Sequence, residues 1–218
     1  MRLFLSSWYL RAGQRPSELG PADGTGRAGI VLNALDEFGS TRDHNLDRER
    51  RPLEELGYAC EELDLRRYFD QPDALRDQLD ALDLVWAVGG NSFVLARAMV
   101  ASGFVDIVPN RLADPTFVYG GYSAGSCMAG PDLAGIDLVD GASVVPDGYP
   151  RDAEPRCMGL IPFRILPHWQ SDHPESAAID RVEADLSEKG LDYRCLRDGQ
   201  AFVVADGSVE VRELDAGR

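Results

Sequence analysis

Short apolar runs alternate along the chain with longer stretches in which leucines recur at helical spacing among charged residues. The runs at residues 2–6, 29–32, 58–63, 84–88 and 116–119 are predicted strands, being short and bounded by glycine or polar residues. Stretches 42–56 and 73–82 read as surface helices. A third helix is expected over 91–102, with Asn91 as its N-cap and Gly103 where a left-handed C-cap falls. This alternation predicts βα units around a mainly parallel sheet. Residues 13–29 hold five glycines and two prolines, and residues 140–155 hold Asp147-Gly148 and three prolines. Both are expected as long loops, of the kind that border sites. A later strand is expected at 163–166, and residues 201–205 and 208–214 around Asp206-Gly207 predict a closing β-hairpin.

The strand at 116–119 runs into Gly121-Tyr122-Ser123-Ala124-Gly125 and then a helix. Strand, Gly-x-Ser-x-Gly, helix is the context of a nucleophile elbow, where a serine on a sharp turn needs neighbours without bulky side chains. Such a turn aims the Ala124 N–H at a developing oxyanion. A glycine-rich turn that only packs a helix on a strand is the plainer alternative. Gly89-Gly90-Asn91, at the end of the 84–88 strand, allows close backbone approach and could supply a second donor, although such a turn is often no more than a tight βα connection.

A serine nucleophile needs a base, and the chain has three histidines. His44 sits among charged residues near a helix start and reads as solvated. His168 lies just past the 163–166 strand, where α/β sheets place their sites, and is favoured as the base. His173, five residues on, could line the same cleft. The orienting acid is open: Asp198 before the last hairpin, or Asp137 or Asp140 after the elbow. Cys127, four residues beyond Ser123, is expected to pack as a small apolar residue.

Composition narrows the partners. The chain has 218 residues, 44% hydrophobic, enough for a sizeable core, and a net charge of −15. That field repels phosphate backbones and acidic lipid surfaces, so neither nucleic acid nor membrane is expected as a partner. No apolar run approaches the roughly 20 residues that span a bilayer. Four scattered cysteines without a paired motif give no metal site and suggest a cytoplasmic setting.

Taken together, Gly89-Gly90-Asn91-Ser92-Phe93, Gly121-Tyr122-Ser123-Ala124-Gly125-Ser126 and Leu166-Pro167-His168-Trp169 resemble, in order and spacing, the peptidase E (aspartyl dipeptidase) family, with cyanophycinase as a distant relative. The resemblance implies an α/β three-layer sandwich with a mainly parallel central sheet, like the class I glutamine amidotransferases and flavodoxin, here closed by the hairpin. Residues 1–218 would form a single catalytic domain. It implies Ser123 as nucleophile, His168 as base, and Gly90 and Ala124 N–H groups as oxyanion hole. Leu196-Arg197-Asp198-Gly199 matches the family's Leu-Pro-Glu-Gly turn with a shorter carboxylate, making Asp198 the preferred acid and Asp137 the alternative. The substrate would be a small peptide, with Asn91, Tyr122, His173, Arg164 and Arg181 as candidate binding residues. No cofactor or metal is implied, and a homodimer is left open. The family's aspartate-binding arginine follows the histidine motif, but residues 174–179 here contain none before Arg181. An esterase of the α/β-hydrolase type and a non-catalytic binding module are the rival readings.

Overall fold

The computed structural model describes residues 1–39 and 41–214. Nine strands form among the described residues: β1 (Arg2–Ser6), β2 (Gly26–Val31), β3 (Tyr58–Glu62), β4 (Leu84–Ala87), β5 (Val118–Tyr122), β6 (Arg164–Leu166), β7 (Tyr193–Cys195), β8 (Gln200–Ala205) and β9 (Ser208–Glu213). The helices are α1 (Thr41–Glu55), α2 (Pro72–Asp80), α3 (Ser92–Ala101), α4 (Phe104–Arg111), α5 (Ala124–Cys127) and α6 (Ser176–Glu188). Seven strands make one sheet in the order β3-β2-β4-β5-β1-β8-β9. The first five run parallel, and the β8–β9 hairpin joins antiparallel beside β1. Helices cover both faces. The expected α/β class, parallel sheet and terminal hairpin are therefore what the chain forms.

Burial explains the strand composition. Leu84-Val85-Trp86-Ala87 and Val118-Tyr119-Gly120-Gly121-Tyr122 are buried along their whole lengths, as central parallel strands covered on both faces must be. Trp86 keeps a polar handle, its Nε1–H donating to Glu49 Oε2 at 3.1 Å. Asn91 caps α3 as expected, its Oδ1 accepting from the Phe93 and Val94 N–H groups. Gly103 is left-handed at φ 80°, and a helix not foreseen, α4, starts directly after it. No single helix among the described residues is long and apolar enough to cross a membrane, and the α3–α4 pair is bent by 82°.

The strand expected at 163–166 does not join the main sheet. It becomes β6, paired in parallel with the three-residue β7, with Leu166 opposite Cys195. This small sheet is what positions two of the candidate side chains.

Candidate active site

Three strand ends meet at the carboxyl edge of the sheet, where open α/β folds bind ligands. Ser123 leaves β5 with φ 49° and ψ −117°, a conformation rarely adopted by a residue with a side chain, and α5 begins at the next residue. The turn is held from β1: the Ser6 carbonyl accepts the Ser123 N–H at 3.2 Å and the Ser126 hydroxyl at 2.7 Å. A Cβ on Gly125 would lie 2.1 Å from the Ala87 carbonyl oxygen, and one on Gly121 would lie 2.5 Å from it. Glycine on both sides of the serine is thus a packing requirement of strand β4 passing beneath.

The Gly89-Gly90 turn lies against this elbow, a Cβ on Gly89 falling 3.0 Å from that of Ser123. Gly90 has φ 137°, and a Cβ there would meet the Ala34 carbonyl oxygen at 2.5 Å. Among the described residues, neither the Gly90 nor the Ala124 N–H has an acceptor, so both are available to an oxyanion.

His168 follows β6 and Asp198 follows β7, so the parallel pairing of the two strands carries both residues to one place. The Leu196 N–H to Leu166 carbonyl bond (2.9 Å) and the Trp169 N–H to Leu196 carbonyl bond (3.0 Å) extend that pairing past the strand ends. His168 Nδ1 lies 2.7 Å from Asp198 Oδ1. The imidazole is fully buried, and its Nε2 has no partner although it lines the same cavity as Ser123. Burial pushes the Asp198 carboxyl up, but hydrogen bonds from His168 and Ser7 outweigh it and hold the group below the usual carboxylate range. An ionised Asp198 keeps the proton on Nδ1 and leaves Nε2 as an acceptor.

The cavity has a volume of about 250 Å³ and is lined by Trp8, Arg48, Gly90, Tyr122, Ser123, His168, His173 and Glu175, among others. His173 stacks on His168 with centroids 3.7 Å apart and planes 10° from parallel, and Trp8 presents an edge to both rings. Burial, with the neighbouring His168, holds His173 below the ordinary histidine range. The donor atoms of His168, His173 and Glu175 fall within 4.8 Å of one another. Because the two rings are nearly parallel, their in-plane lone pairs run side by side and do not converge on a point where a cation could sit.

Tyr122 forms one wall. Its hydroxyl donates to the buried Glu49 carboxylate at 3.0 Å and accepts from Arg48 Nη2 at 2.7 Å. Burial, reinforced by Glu49, pushes the phenol well above its ordinary range and keeps it protonated. A carboxylate as buried as Glu49 is tolerable only when its oxygens are filled, and Arg48, Tyr122 and Trp86 fill them.

Other sequence candidates fall elsewhere. The Asp137 carboxylate is exposed on a 3-10 turn and makes no contact with His168. Asp140 instead accepts the Ser92 N–H at 2.8 Å, near the α3 N-terminus. The Arg164 guanidinium pairs with Asp132, away from the cavity, and exposed Arg181 bonds to the Ala177 carbonyl within α6. Neither arginine is among the residues that line the cavity holding Ser123 and His168. Asn91 spends both ends of its amide on structure, Oδ1 on the α3 cap and Nδ2 on the Gly141 carbonyl. Sequence reasoning did not single out Ser7, Trp8, Arg48 or Glu175. For Ser7 and Trp8 a signal existed, their place just past the end of β1; for Arg48 on α1 nothing local pointed to the site.

Fold and site together define a class: a three-layer α/β protein with a Gly-x-Ser-x-Gly elbow at the sheet's carboxyl edge and a histidine–aspartate pair delivered from a separate small sheet. The family model for peptidase family S51 matches residues 38–212, and the chain belongs to that family. It is 31% identical over 160 residues to a protein of Streptomyces coelicolor (strain ATCC BAA-471 / A3(2) / M145) named Peptidase E, covering 71% of this chain and 62% of that one. It is 26% identical over 191 residues to a Drosophila melanogaster protein named "Probable alpha-aspartyl dipeptidase", covering 81% and 74% of the two chains. A provisionally named peptidase E structure from Listeria monocytogenes EGD-e superposes with a TM-score of 0.80 at 19% identity over 98% of each chain, which shows a shared fold.

Proposed function

We propose that the protein is a serine peptidase that hydrolyses short peptides, dipeptides above all, through an acyl-enzyme. The observation that carries this is the buried His168, held at Nδ1 by Asp198 and unpaired at Nε2, on one cavity with the elbow serine. In this reading Ser123 Oγ attacks the scissile carbonyl and passes its proton to His168 Nε2. The Gly90 and Ala124 N–H groups hold the oxyanion. His168 then protonates the leaving amine, and a water activated by the same nitrogen releases the acyl group. Family membership and the names of the relatives support a peptidase.

The proposal does not extend to a preference for N-terminal aspartate. Arg48 is the one cation lining the cavity among the described residues, and Glu49 and Tyr122 already engage it. The test is a dipeptide library varied at the N-terminal residue, run on wild type and Ser123→Ala. Turnover by wild type and loss in the variant is expected; full retention by Ser123→Ala overturns the reading. Small esters run in parallel would reveal an esterase.

A further inference from the structure

Gly90 serves as an oxyanion donor only while its turn keeps one position, and two segments far apart in the chain hold that turn. The first is the 3-10 turn Asn33–Leu35 after β2, whose Ala34 carbonyl accepts the Asn91 N–H at 2.9 Å and lies 2.5 Å from where a Gly90 Cβ would stand. The second is the 140–155 loop. Its Gly141 carbonyl accepts from Asn91 Nδ2 at 3.3 Å, and Asp140 Oδ2 accepts the Ser92 N–H at 2.8 Å. Buried Arg97 fixes the same loop to α3, its Nη1 and Nη2 donating to the Ala153 and Ala142 carbonyls at 2.7 and 3.3 Å. Tyr149, within this loop, joins the two segments to each other. Its hydroxyl donates to Asp36 Oδ2 at 2.5 Å, and Asn33 Nδ2 donates to that oxygen at 2.8 Å. Asp36 Oδ1 accepts from Arg42 Nε at 2.6 Å, so a carboxylate only 1% exposed is held at both oxygens. Burial, reinforced by Asp36, pushes the Tyr149 phenol above its ordinary range, so it stays protonated and donates.

We propose that Tyr149 is a positioning residue for the oxyanion hole, setting the place of the Gly90 N–H through Asp36 and Ala34; the assignment rests on Ser123 being the nucleophile and Gly90 a donor. The contacts form a closed circuit. It runs from the Gly90 turn to Ala34, Asn33 and Asp36, crosses the Tyr149 bond to the loop, and returns through Asp140 and Gly141 to Asn91 and Ser92. Tyr149 is not among the residues lining the cavity of Ser123 and His168, so its effect passes through the turn and not through contact with substrate. The ring packs edge-on against Phe69 with centroids 5.1 Å apart, a contact that a phenylalanine keeps. The hydroxyl adds the link to Asp36. Oxyanion donors act within a narrow range, about 2.7–3.1 Å from the charged oxygen, so a turn loosened at one joint loses transition-state stabilisation before it loses substrate affinity.

The experiment follows the rate at which a fluorophosphonate labels Ser123, a reaction that puts a phosphoryl oxygen in the same hole and needs no knowledge of the preferred peptide. Tyr149→Phe is expected to label about tenfold more slowly than wild type, a part of the 10²–10³ that loss of a whole donor costs. With dipeptides, kcat should fall by the same factor and KM should stay. Asp140→Ala opens the circuit at its other joint and should slow labelling similarly. Tyr58→Phe is the structural control: it removes a buried phenol bond to the Leu19 carbonyl (2.8 Å) at the start of β3, and should label at the wild-type rate. Adding Tyr149→Phe to Gly90→Ala should slow labelling no further, because both act on one donor. Wild-type rates in Tyr149→Phe or Asp140→Ala, equal slowing in Tyr58→Phe, or additive slowing in the double variant overturns the proposal. Failure of wild type to label at Ser123, giving the same blank as Ser123→Ala, overturns instead the nucleophile reading beneath it.

Discussion

Ser7 Oγ donates to Asp198 Oδ1 at 2.7 Å while accepting the His168 N–H at 2.8 Å. One buried hydroxyl from the end of β1 thereby ties the main sheet to both members of the histidine–aspartate pair, which arrive on the separate small sheet. Ser7→Ala leaves the His168 N–H without an acceptor, at a cost of about 1–3 kcal/mol. Calorimetry should show a melting temperature lower by roughly 2–10 °C. Steady-state kinetics should show kcat falling more than KM rises, since the pair is loosened and the substrate is not touched.

The same bond has a pH signature. The Asp198 carboxyl is depressed in the folded protein, its two hydrogen bonds outweighing burial. Its stabilising contribution is therefore complete above the unfolded value, about 3.9, and is lost as pH falls through the lower folded value. Ser7→Ala removes one of those bonds and raises the folded value toward the unfolded one. Acid unfolding followed by tryptophan fluorescence should then begin at a higher pH than in wild type.

Asp198→Asn keeps the shape at His168 Nδ1 but removes the charge that fixes the tautomer. We expect kcat to fall by about 10²–10⁴ with KM little changed. An unchanged kcat would show that the 2.7 Å contact is structural.

Gly90→Ala places a Cβ 2.5 Å from the Ala34 carbonyl oxygen at a residue with φ 137°. The turn must shift, taking the Gly90 N–H with it. Loss of one oxyanion donor costs about 10²–10³ in kcat. A variant that folds by circular dichroism and reacts slowly with a fluorophosphonate is the expected result.

The His173 ring, stacked at 3.7 Å, holds the plane of His168 against Trp8. His173→Phe preserves a flat neighbour and should keep kcat within a few-fold, whereas His173→Ala should lower it by about tenfold, a 1.4 kcal/mol effect. A rise in KM alone, equal in both variants, would make His173 a substrate contact.

Much of this architecture was legible locally. The alternation of short apolar runs with amphipathic stretches marked the five parallel strands of the main sheet, because a central strand buried on both faces must read as a continuous apolar run. Asp206-Gly207 announced the hairpin, and Asn91 announced the start of α3. The strand β7 escaped notice because three residues carry no periodicity. Helix α4 escaped because Gly103 ahead of it and Pro109 within it read as breakers. Arg164 and Arg181 were placed near the site on sequence proximity to the histidine motif, which says nothing about the direction of a side chain.

The elbow was determined by the sequence itself: Gly121, Ala124 and Gly125 around Ser123 are a local steric requirement, readable wherever a strand enters a tight turn. The choice of Asp198 over Asp137 as the neighbour of His168 was decided only in three dimensions, where Leu166 pairs with Cys195 and two loops 30 residues apart in the chain are brought into register. The same holds for Ser7, Arg48 and Glu175. Short-range sterics leave a mark in consecutive residues, whereas a hydrogen bond or a charge across a cavity depends on which strand ends the sheet gathers together.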